Sequence, residues 1–417
     1  MILPNSIMSK ISLYDLLSQA QGKEKVNMQQ LYGDVLVRKS IQKRIPLSVQ
    51  FELLPLCNFS CKFCYVRMTA QEVEQSGNHI MRFADWKEQI DGARSLGASS
   101  MTFTGGECTI HPDFIDIYEY AYNCGMQVCM ISNGSNITEE MLDLFRRCPP
   151  SKIFITLYGM SEKAYADTCG NGAAFEKVIQ NIQTLKALGI HLILNYTAGK
   201  ENFADMEAVL AFGREQKMEV IPTNALIHKD KCTADTLQNE LVDYYDYLKL
   251  EHQHLSILRG KSFEAFEESY FSSFFEPIPA EEGGLQCNAG RCTYTVNWLG
   301  KMKPCANFDF PQYDPRKIGF ESAWKKIVEW ADSVPLLEEC ESCIFQPKCR
   351  RCAAMHYGDM GEFNRVSPRF CFKKLFPQQA ETMLAKYEQL KAEGKIESLN
   401  RWNNGGEEQT DPIGRCP

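Results

Sequence analysis

The chain has 417 residues, 44% hydrophobic and 24% charged, a composition typical of globular proteins and unlike disordered, collagen-like or coiled-coil chains. Its length corresponds to about two or three domains. The net charge of −8, from 45 Lys and Arg against 53 Asp and Glu, argues against nucleic acid as a partner. The longest apolar runs are too short to span a bilayer, and no signal peptide is evident, so we expect a cytoplasmic protein with no membrane partner.

The first half of the chain predicts an α/β fold. Residues 1–45 are expected to form a helical extension, with a helix at about 11–21. From residue 46 to 225, short apolar runs alternate with amphipathic helical patterns, which is typical of strand–helix units in a parallel sheet. Six such units predict a partial (β/α)6 barrel like part of a TIM barrel. The predicted strands are Val49–Leu54, Ser100–Phe103, Gln127–Ile131, Ile153–Leu157, Leu192–Tyr196 and Glu219–Ile221, and the predicted helices are Trp86–Leu96, Phe114–Cys124, Glu139–Arg146, Phe175–Leu188 and Ala204–Gln216.

The second half has a different pattern. Residues 226–284 predict a helical bridge, and residues 285–375 a loop-rich module whose eight cysteines compensate for its weak apolar periodicity. Residues 376–417 predict a final helix and a polar tail. The helices expected in these segments are Ala234–Leu250, Phe263–Phe275 and Gln378–Glu393.

Cysteine is over-represented, with 18 residues, and in a reducing compartment this number indicates metal or redox chemistry. Three of them, Cys57, Cys61 and Cys64, follow the first predicted strand at the strand end where barrel active sites lie. Three thiolates on one short loop can hold three irons of a 4Fe-4S cluster and leave the fourth iron for another ligand. A zinc site that lacks a ligand and three buried thiols are the alternatives.

This loop resembles the C-x3-C-x-aromatic-C cluster motif of the radical S-adenosylmethionine (SAM) superfamily, with Phe63 at the aromatic position. Gly105, Gly106 and Glu107 resemble the Gly-Gly-Glu motif of the same family. That resemblance implies that Glu107 binds the amino group of SAM, while the glycines let the backbone approach the ligand closely. Further cofactor-binding residues implied by the resemblance are Tyr65 at the adenine, Thr156 at the ribose, and Ser132, Asn133 and Asn195 in the SAM pocket.

The resemblance also implies the chemistry. A 4Fe-4S cluster and SAM are the expected cofactors, and reductive cleavage of SAM gives a 5'-deoxyadenosyl radical that removes a hydrogen atom from the substrate. A flavodoxin- or ferredoxin-type protein is the expected electron donor. Cys108 directly follows Glu107, so we consider it as a hydrogen-atom donor or substrate contact, with ordinary packing as the alternative.

The eight cysteines of residues 285–375 resemble, in order and spacing, the SPASM domain, a C-terminal iron–sulfur module of radical SAM enzymes. The resemblance implies two auxiliary 4Fe-4S clusters. One would be held by Cys287, Cys292, Cys305 and Cys352, and the other by Cys340, Cys343, Cys349 and Cys371. Paired C-x2-C spacings also suit tetrahedral zinc, so a zinc module is the alternative.

Relatives with a SPASM domain mostly oxidise peptides or proteins. The resemblance therefore implies a peptide-modifying maturase that crosslinks its substrate or oxidises a side chain. Its alternatives are a sulfatase-maturating formylglycine-forming enzyme, a radical SAM peptide epimerase and a non-enzymatic iron–sulfur electron carrier. Sulfatase maturation is disfavoured because Ala306 follows Pro304 and Cys305 where those enzymes carry an Asp base. The 45 residues before the first strand are too few for a leader-binding domain, so a separate protein or the barrel mouth would bind a leader peptide.

Overall fold

The computed structural model describes residues 28–224, 226, 239–266, 284–285, 287–335, 338–341, 343, 345 and 352–393. Six strands of the first half of the chain form a parallel sheet in sequence order. They are β1 (Ser48–Glu52), β2 (Ser100–Thr104), β3 (Gln127–Ser132), β4 (Lys152–Leu157), β5 (Leu192–Thr197) and β6 (Glu219–Thr223). At least one helix joins each strand to the next. The predicted α/β fold with a partial barrel core is confirmed.

The helices of this region agree with the prediction in five cases and add new ones. They are α1 (Met28–Lys43), α2 (Ala70–Gln75), α3 (Phe83–Ser95), α4 (Phe114–Asn123), α5 (Glu139–Arg147), α6 (Glu162–Cys169), α7 (Ala174–Ala187) and α8 (Met206–Gln216). Helix α6 was not predicted, although both of its ends carry sequence signals. Ser161 caps its first turn, and Gly170 ends it in the left-handed conformation with φ 72°. The helix expected at 11–21 lies outside the described residues.

The alternation of side chains along β1 separates the core from the inner face of the sheet. Val49 and Phe51 are fully buried on the helix side, where the ring of Phe51 lies 5.2 Å from the ring of Trp86. Gln50 and Glu52 point to the opposite face and line a cavity. The sheet therefore presents polar side chains to the barrel interior.

The sheet continues past β1 with strands from the C-terminal half of the chain. β7 (Thr293–Val296) pairs in parallel with β1, and β8 (Met302–Lys303) pairs antiparallel to β7. The full order is β6-β5-β4-β3-β2-β1-β7-β8. Gln50 lies opposite Thr295, and Thr295 opposite Lys303, so the three side chains share the inner face. The cysteine-rich half is thereby joined to the barrel beside the first cysteine loop.

The remaining helices are α9 (Tyr244–Leu258), α10 (Pro315–Ile318), α11 (Phe320–Ser333), α12 (Glu338–Glu341), α13 (Ala353–Met360), α14 (Phe372–Leu375) and α15 (Pro377–Ala392). Within the helix expected at 234–250, residues 239–240 and 244–250 are helical, whereas residues 241–243 are not. The Asp243 carboxylate accepts a hydrogen bond from the Asp246 N–H at the start of α9. Residues 234–238 lie outside the described residues. Of the helix expected at 263–275, residues 263–266 are helical and the rest lies outside the described residues. Helix α11 lies in the stretch expected to be loop-rich. In the described part of the chain, no helix is both long and apolar enough to cross a bilayer.

Candidate active site

The first cysteine loop directly follows β1 and carries Cys57, Cys61 and Cys64. The backbone N–H of Phe59 donates to the Cys57 sulfur over 3.4 Å, and the N–H of Arg67 donates to the Cys64 sulfur over 3.3 Å. Hydrogen bonds to cysteine sulfur are one means by which proteins set the potential of an iron–sulfur cluster. Both sulfurs thus receive backbone N–H donors of that kind, and the 4Fe-4S site at this loop stays a prediction.

The three thiols lie close enough to influence one another electrostatically. Burial raises the pKa of Cys61 most, and charge on Cys64 and Cys57 raises it further. Burial also raises the pKa of Cys57 to about 11, with additional contributions from Glu107 and Cys64. Cys57 and Cys61 are therefore protonated at neutral pH in the metal-free chain, and metal binding would displace their protons.

The loop is held against α6. Phe59 is buried and packs edge-on against Tyr165, with 6.4 Å between ring centroids. The N–H groups of Ser60 and Lys62 donate to carbonyls in the last two residues of α6 over 2.9 and 3.1 Å. The unpredicted helix α6 thus positions the predicted cysteine loop.

Gly105 and Gly106 lie where β2 ends, packed against the chain that leads into the cysteine loop. A Cβ atom on Gly106 would lie 2.1 Å from the Leu56 carbonyl oxygen, and one on Gly105 would lie 2.4 Å from the Leu54 carbonyl oxygen. The N–H of Gly106 donates to the Leu54 carbonyl over 2.8 Å. The close approach that these glycines permit is therefore to residues 54–56 as well as to any ligand in the cavity.

Glu107 is fully buried behind this turn. Its Oε1 accepts hydrogen bonds from the Thr109 N–H, the Thr109 hydroxyl and the Ser132 hydroxyl, and its Oε2 accepts one from the Asn133 N–H over 2.7 Å. Burial raises the pKa of Glu107, and these hydrogen bonds oppose the rise. The carboxylate is rigidly oriented, and Oε2 keeps the capacity to accept a second donor such as an ammonium group.

Asn133 connects this carboxylate to the cysteine loop. Its side-chain amide donates to the Asn58 side-chain oxygen over 2.8 Å and lies 3.8 Å from the Cys57 sulfur. Asn58 in turn donates to the Ser135 hydroxyl. Sequence reasoning missed Thr109, Asn58 and Ser135, whose part in the site depends on contacts between separate loops.

A cavity opens between the cysteine loop and the inner face of the sheet. It is lined by Gln50, Glu52, Cys64, Tyr65, Val66, Thr104, Gly105, Gly106, Ile131, Ser132, Asn133, Thr156, Tyr158 and Ala306. Six of the predicted cofactor-binding residues are in this set. The presence of Ala306, next to Cys305, brings the second cysteine region to the same cavity.

Four of the predicted catalytic and SAM-binding residues do not line this cavity: Phe63, Glu107, Cys108 and Asn195. Phe63 packs near Gly199 and Leu226. Cys108 is fully buried, its thiol donates to the Ile131 carbonyl over 3.5 Å, and burial raises its pKa well above the usual thiol range. This environment is that of a packed small side chain.

An ion pair that sequence reasoning missed lies at the cavity wall. Lys303 Nζ is 3.2 Å from Glu52 Oε1, and the two side chains are only 3% and 7% exposed. Lys303 Nζ also donates to the Ala306 carbonyl over 3.3 Å. Glu52 within the predicted strand Val49–Leu54 was the available signal, whereas β7 and β8, whose register brings Lys303 to it, were not predicted.

The second cysteine region brings together three members of each predicted set. Burial raises the pKa of Cys305 to about 12, and the nearby Cys352 and Cys287 raise it further. Cys292 is 1% exposed, and its backbone carbonyl accepts the Leu47 N–H.

Three cysteines of the other set, Cys340, Cys343 and Cys371, line a second cavity together with His356, whereas Cys349 lies outside the described residues. Across the described ranges, no three His, Cys, Asp or Glu side chains converge like the ligands of a single metal ion. The thiol-rich composition of both sets matches the donors that iron–sulfur clusters require.

Comparison with known proteins identifies the first module. Residues 51–213 match the model of the radical SAM superfamily. These residues form a radical SAM domain. Members of that superfamily bind a 4Fe-4S cluster and SAM, and the protein is an enzyme. The domain contains the cysteine loop, Glu107, Asn133 and Thr156.

Two curated relatives show how far the similarity extends. An AdoMet-dependent heme synthase of Methanosarcina barkeri is 20% identical over 337 residues, which are 78% of this chain and 95% of that protein. The antilisterial bacteriocin subtilosin biosynthesis protein AlbA of Bacillus subtilis is 21% identical over 358 residues, 81% of this chain and 75% of AlbA.

Solved structures share the fold. SuiB of Streptococcus suis bound to S-adenosylmethionine aligns with a TM-score of 0.60 at 15% identity, over 87% of each chain. Native anSMEcpe with bound AdoMet aligns with a TM-score of 0.58 at 14% identity, over 83% of this chain and all of that one.

Proposed function

We propose that this radical SAM enzyme oxidises a peptide or protein substrate, either by forming a crosslink or by oxidising a side chain. The observation that carries the proposal is the shared cavity, in which Cys64 of the first cysteine loop and Ala306 of the second cysteine region face one space. A substrate there would contact the radical-generating site and the C-terminal cysteines together. AlbA is named for bacteriocin biosynthesis, and SuiB has been solved with the precursor peptide SuiA, which supports a peptide substrate.

When bound, a 4Fe-4S cluster and SAM supply the one-electron cleavage that starts radical chemistry. Cys57, Cys61 and Cys64 would hold the cluster. Glu107 and Asn133 would orient the methionine part of SAM, with Thr156 at the ribose. The buried wall of the cavity would keep water away from the reacting atoms.

We further propose that the C-terminal cysteines hold two auxiliary 4Fe-4S clusters, divided as Cys287, Cys292, Cys305 and Cys352, and Cys340, Cys343, Cys349 and Cys371. A flavodoxin- or ferredoxin-type protein would supply electrons, and a separate protein or the cavity mouth would hold a leader peptide. Net oxidation of a substrate requires a one-electron acceptor, which clusters of tunable potential provide.

Iron content tests the cofactor assignment. Anaerobically purified enzyme should hold about 12 iron atoms per chain, from three clusters of four. The triple variant Cys57→Ala, Cys61→Ala, Cys64→Ala should hold about eight. Equal iron content in the two proteins would contradict the first site, whereas zinc in place of iron in the variant would support the zinc module.

Substrate mass tests the reaction. A candidate peptide encoded beside the gene is co-expressed anaerobically with wild type and with the triple variant, and its exact mass is measured. Loss of two hydrogens only with wild type supports oxidation, and fragmentation locates the residue and separates a crosslink from formylglycine. If the peptide mass is unchanged in H2O and rises by one deuterium when the reaction runs in D2O, the enzyme is an epimerase. Failure of the enzyme to form 5'-deoxyadenosine from SAM and dithionite would favour an electron carrier.

A second candidate substrate is an iron porphyrin, because the heme synthase of M. barkeri aligns over 95% of its length. The same reconstituted enzyme, SAM and dithionite are incubated with Fe-coproporphyrin III, which another relative is named for producing. Formation of heme, followed by chromatography, would replace the peptide proposal. No conversion, together with a modified peptide, would remove this candidate.

A further inference from the structure

Two carboxylates lie near the candidate active site, and their environments differ. Glu107 accepts hydrogen bonds from Thr109, Ser132 and Asn133 and does not line the cavity. Glu52 is the one charged side chain among the described residues that line it. In the part of the chain that the structure describes, Oε1 of Glu52 contacts Lys303, and Oε2 accepts no hydrogen bond. Both carboxylates therefore keep an oxygen that can accept a further donor, but Glu52 lines the cavity and Glu107 does not.

The ion pair between Glu52 and Lys303 contributes little to the stability of the sheet. Removing two charges from water costs about as much as their mutual attraction returns, so a buried pair adds little net stability compared with apolar residues of similar size. Strands β1, β7 and β8 are already joined by their backbone ladders. Stability therefore gives no sufficient reason for a glutamate at this position, and its contact with the cavity points to chemistry.

The position of Glu52 suits a role in substrate chemistry. It ends β1, five residues before Cys57, and it shares the cavity with Thr156 and Ala306. Ala306, which follows Pro304 and Cys305, offers no carboxylate. The structure brings a carboxylate to the same cavity from the opposite side, on β1 instead of on the segment after β8.

The surroundings of Glu52 hold it in place. Lys303 does not line the cavity and lies behind Glu52, where its ammonium group contacts both Oε1 and the Ala306 carbonyl. The neighbouring Tyr65 has a pKa raised by burial and further by the charge of Glu52, and its hydroxyl donates to the Asn307 side chain over 3.3 Å. Oε1 of the carboxylate is anchored by Lys303, and the Glu52 side chain lines the cavity.

We propose that Glu52 accepts the proton that the substrate loses during its oxidation, with Lys303 as the positioning residue. This inference rests on the proposed peptide oxidation. For each new bond or double bond the substrate loses two hydrogens. One leaves as a hydrogen atom to the 5'-deoxyadenosyl carbon. The other leaves as a proton to Glu52 Oε2 and as an electron to a one-electron acceptor of the iron–sulfur class.

The test uses the holoenzyme and the peptide found modified by co-expression, synthesised with deuterium at the modified carbon. Three quantities are measured: deuterium transferred to 5'-deoxyadenosine, 5'-deoxyadenosine released, and modified peptide formed. Wild type that forms no 5'-deoxyadenosine, or leaves the peptide unmodified, refutes the proposed function itself. The variants are compared only after wild type has passed both measurements, so the two failures are distinguishable.

Glu52→Gln preserves the shape of the side chain and removes its basicity. General-base catalysis contributes about 100-fold or more, so modified peptide should fall about 100-fold. Deuterium transfer continues, and the amount of 5'-deoxyadenosine released per modified peptide rises at least about tenfold. Glu176→Gln, an exposed carboxylate on α7, is the matched control and should resemble wild type. Product formation by Glu52→Gln within twofold of wild type overturns the proposal, as does parallel loss of deuterium transfer and product.

Variants of Lys303 distinguish a role in positioning Glu52 from a role in folding. Lys303→Met should raise the same product ratio, and Lys303→Arg should restore it toward the wild-type value. The double variant Glu52→Gln, Lys303→Met buries no charge and should unfold in urea near the wild-type midpoint, while still failing to form product. This variant keeps the test valid if Glu52→Gln alone folds poorly. Recovery of product in the double variant would show that the pair is only structural.

Discussion

Gly106→Ala measures how strongly the turn after β2 positions the first cysteine loop. The new Cβ would lie 2.1 Å from the Leu56 carbonyl oxygen and 2.7 Å from the Pro55 oxygen, so the two segments must separate by about 0.9 Å to reach 3.0 Å. That movement strains the hydrogen bonds from Gly106 to Leu54 and from Glu107 to Leu56. Overpacking costs about 1–3 kcal/mol and two weakened hydrogen bonds add about 1–2 kcal/mol, so we expect about 2–5 kcal/mol lower unfolding free energy.

The assay is urea unfolding under anaerobic conditions, followed by circular dichroism, with iron content measured on the same preparations. Gly33→Ala is the control, because a Cβ there meets nothing within 4 Å and α1 gains up to about 1 kcal/mol from the better helix former. Gly106→Ala should also reduce iron uptake, since Cys57 follows Leu56 directly. An unfolding free energy within about 0.5 kcal/mol of wild type, together with full iron content, would refute the reasoning.

Three further predictions concern charge. Asn133→Asp places an acid beside the Cys57 sulfur and should lower the midpoint potential of the first cluster in an EPR-monitored titration; a higher potential would contradict it. In the metal-free chain, alkylation of Cys57 should rise about tenfold per pH unit up to about pH 10, because its pKa is about 11; a plateau near pH 8.5 would contradict it. Arg82 holds the pKa of Asp113 at about 2, so wild type should exceed Asp113→Asn in urea midpoint above about pH 4, and this advantage should vanish as pH falls to about 2. An equal difference at both pH values would show that the charge on Asp113 does not matter.

The local sequence pattern was sufficient to predict the strands of the barrel. The apolar runs at 153–157 and 192–196 are short, rich in Ile and Leu, and followed or preceded by Gly, so their periodicity and boundaries agree. Both became central strands of the parallel sheet. Helix α9 shows the limit of the same method. The apolar periodicity continues through residues 241–243, but these residues interrupt the helical pattern, and the Asp243 carboxylate accepts a hydrogen bond at the start of α9.

The local sequence pattern did not predict which strands pair when they lie far apart in the chain. The pairing of β7 with β1 joins residues 293–296 to residues 48–51, and no periodicity in either segment specifies its partner. Glu107 illustrates the same limit within the site. Its motif was readable from three consecutive residues, but the Ser132 and Asn133 donors that orient its carboxylate come from the end of β3 and the residue after it. The sequence therefore predicted which residues belong to the site where they form a short local motif. It did not predict the hydrogen bonds between side chains from separate loops.

The register of β7 determines the charge of the cavity. Side chains alternate across a strand, so the alignment of Gln50 with Thr295, and of Thr295 with Lys303, places the Lys303 side chain on the inner face behind Glu52. A shift of one residue in either pairing would turn Lys303 to the opposite face and leave a buried carboxylate without its cation. Because an unpaired buried charge is strongly destabilising, the ion pair also selects the correct register. The pairing of β7 and β8 with β1 therefore anchors Glu52, and substitutions in β7 or β8 will alter the cavity although neither strand contributes to its lining.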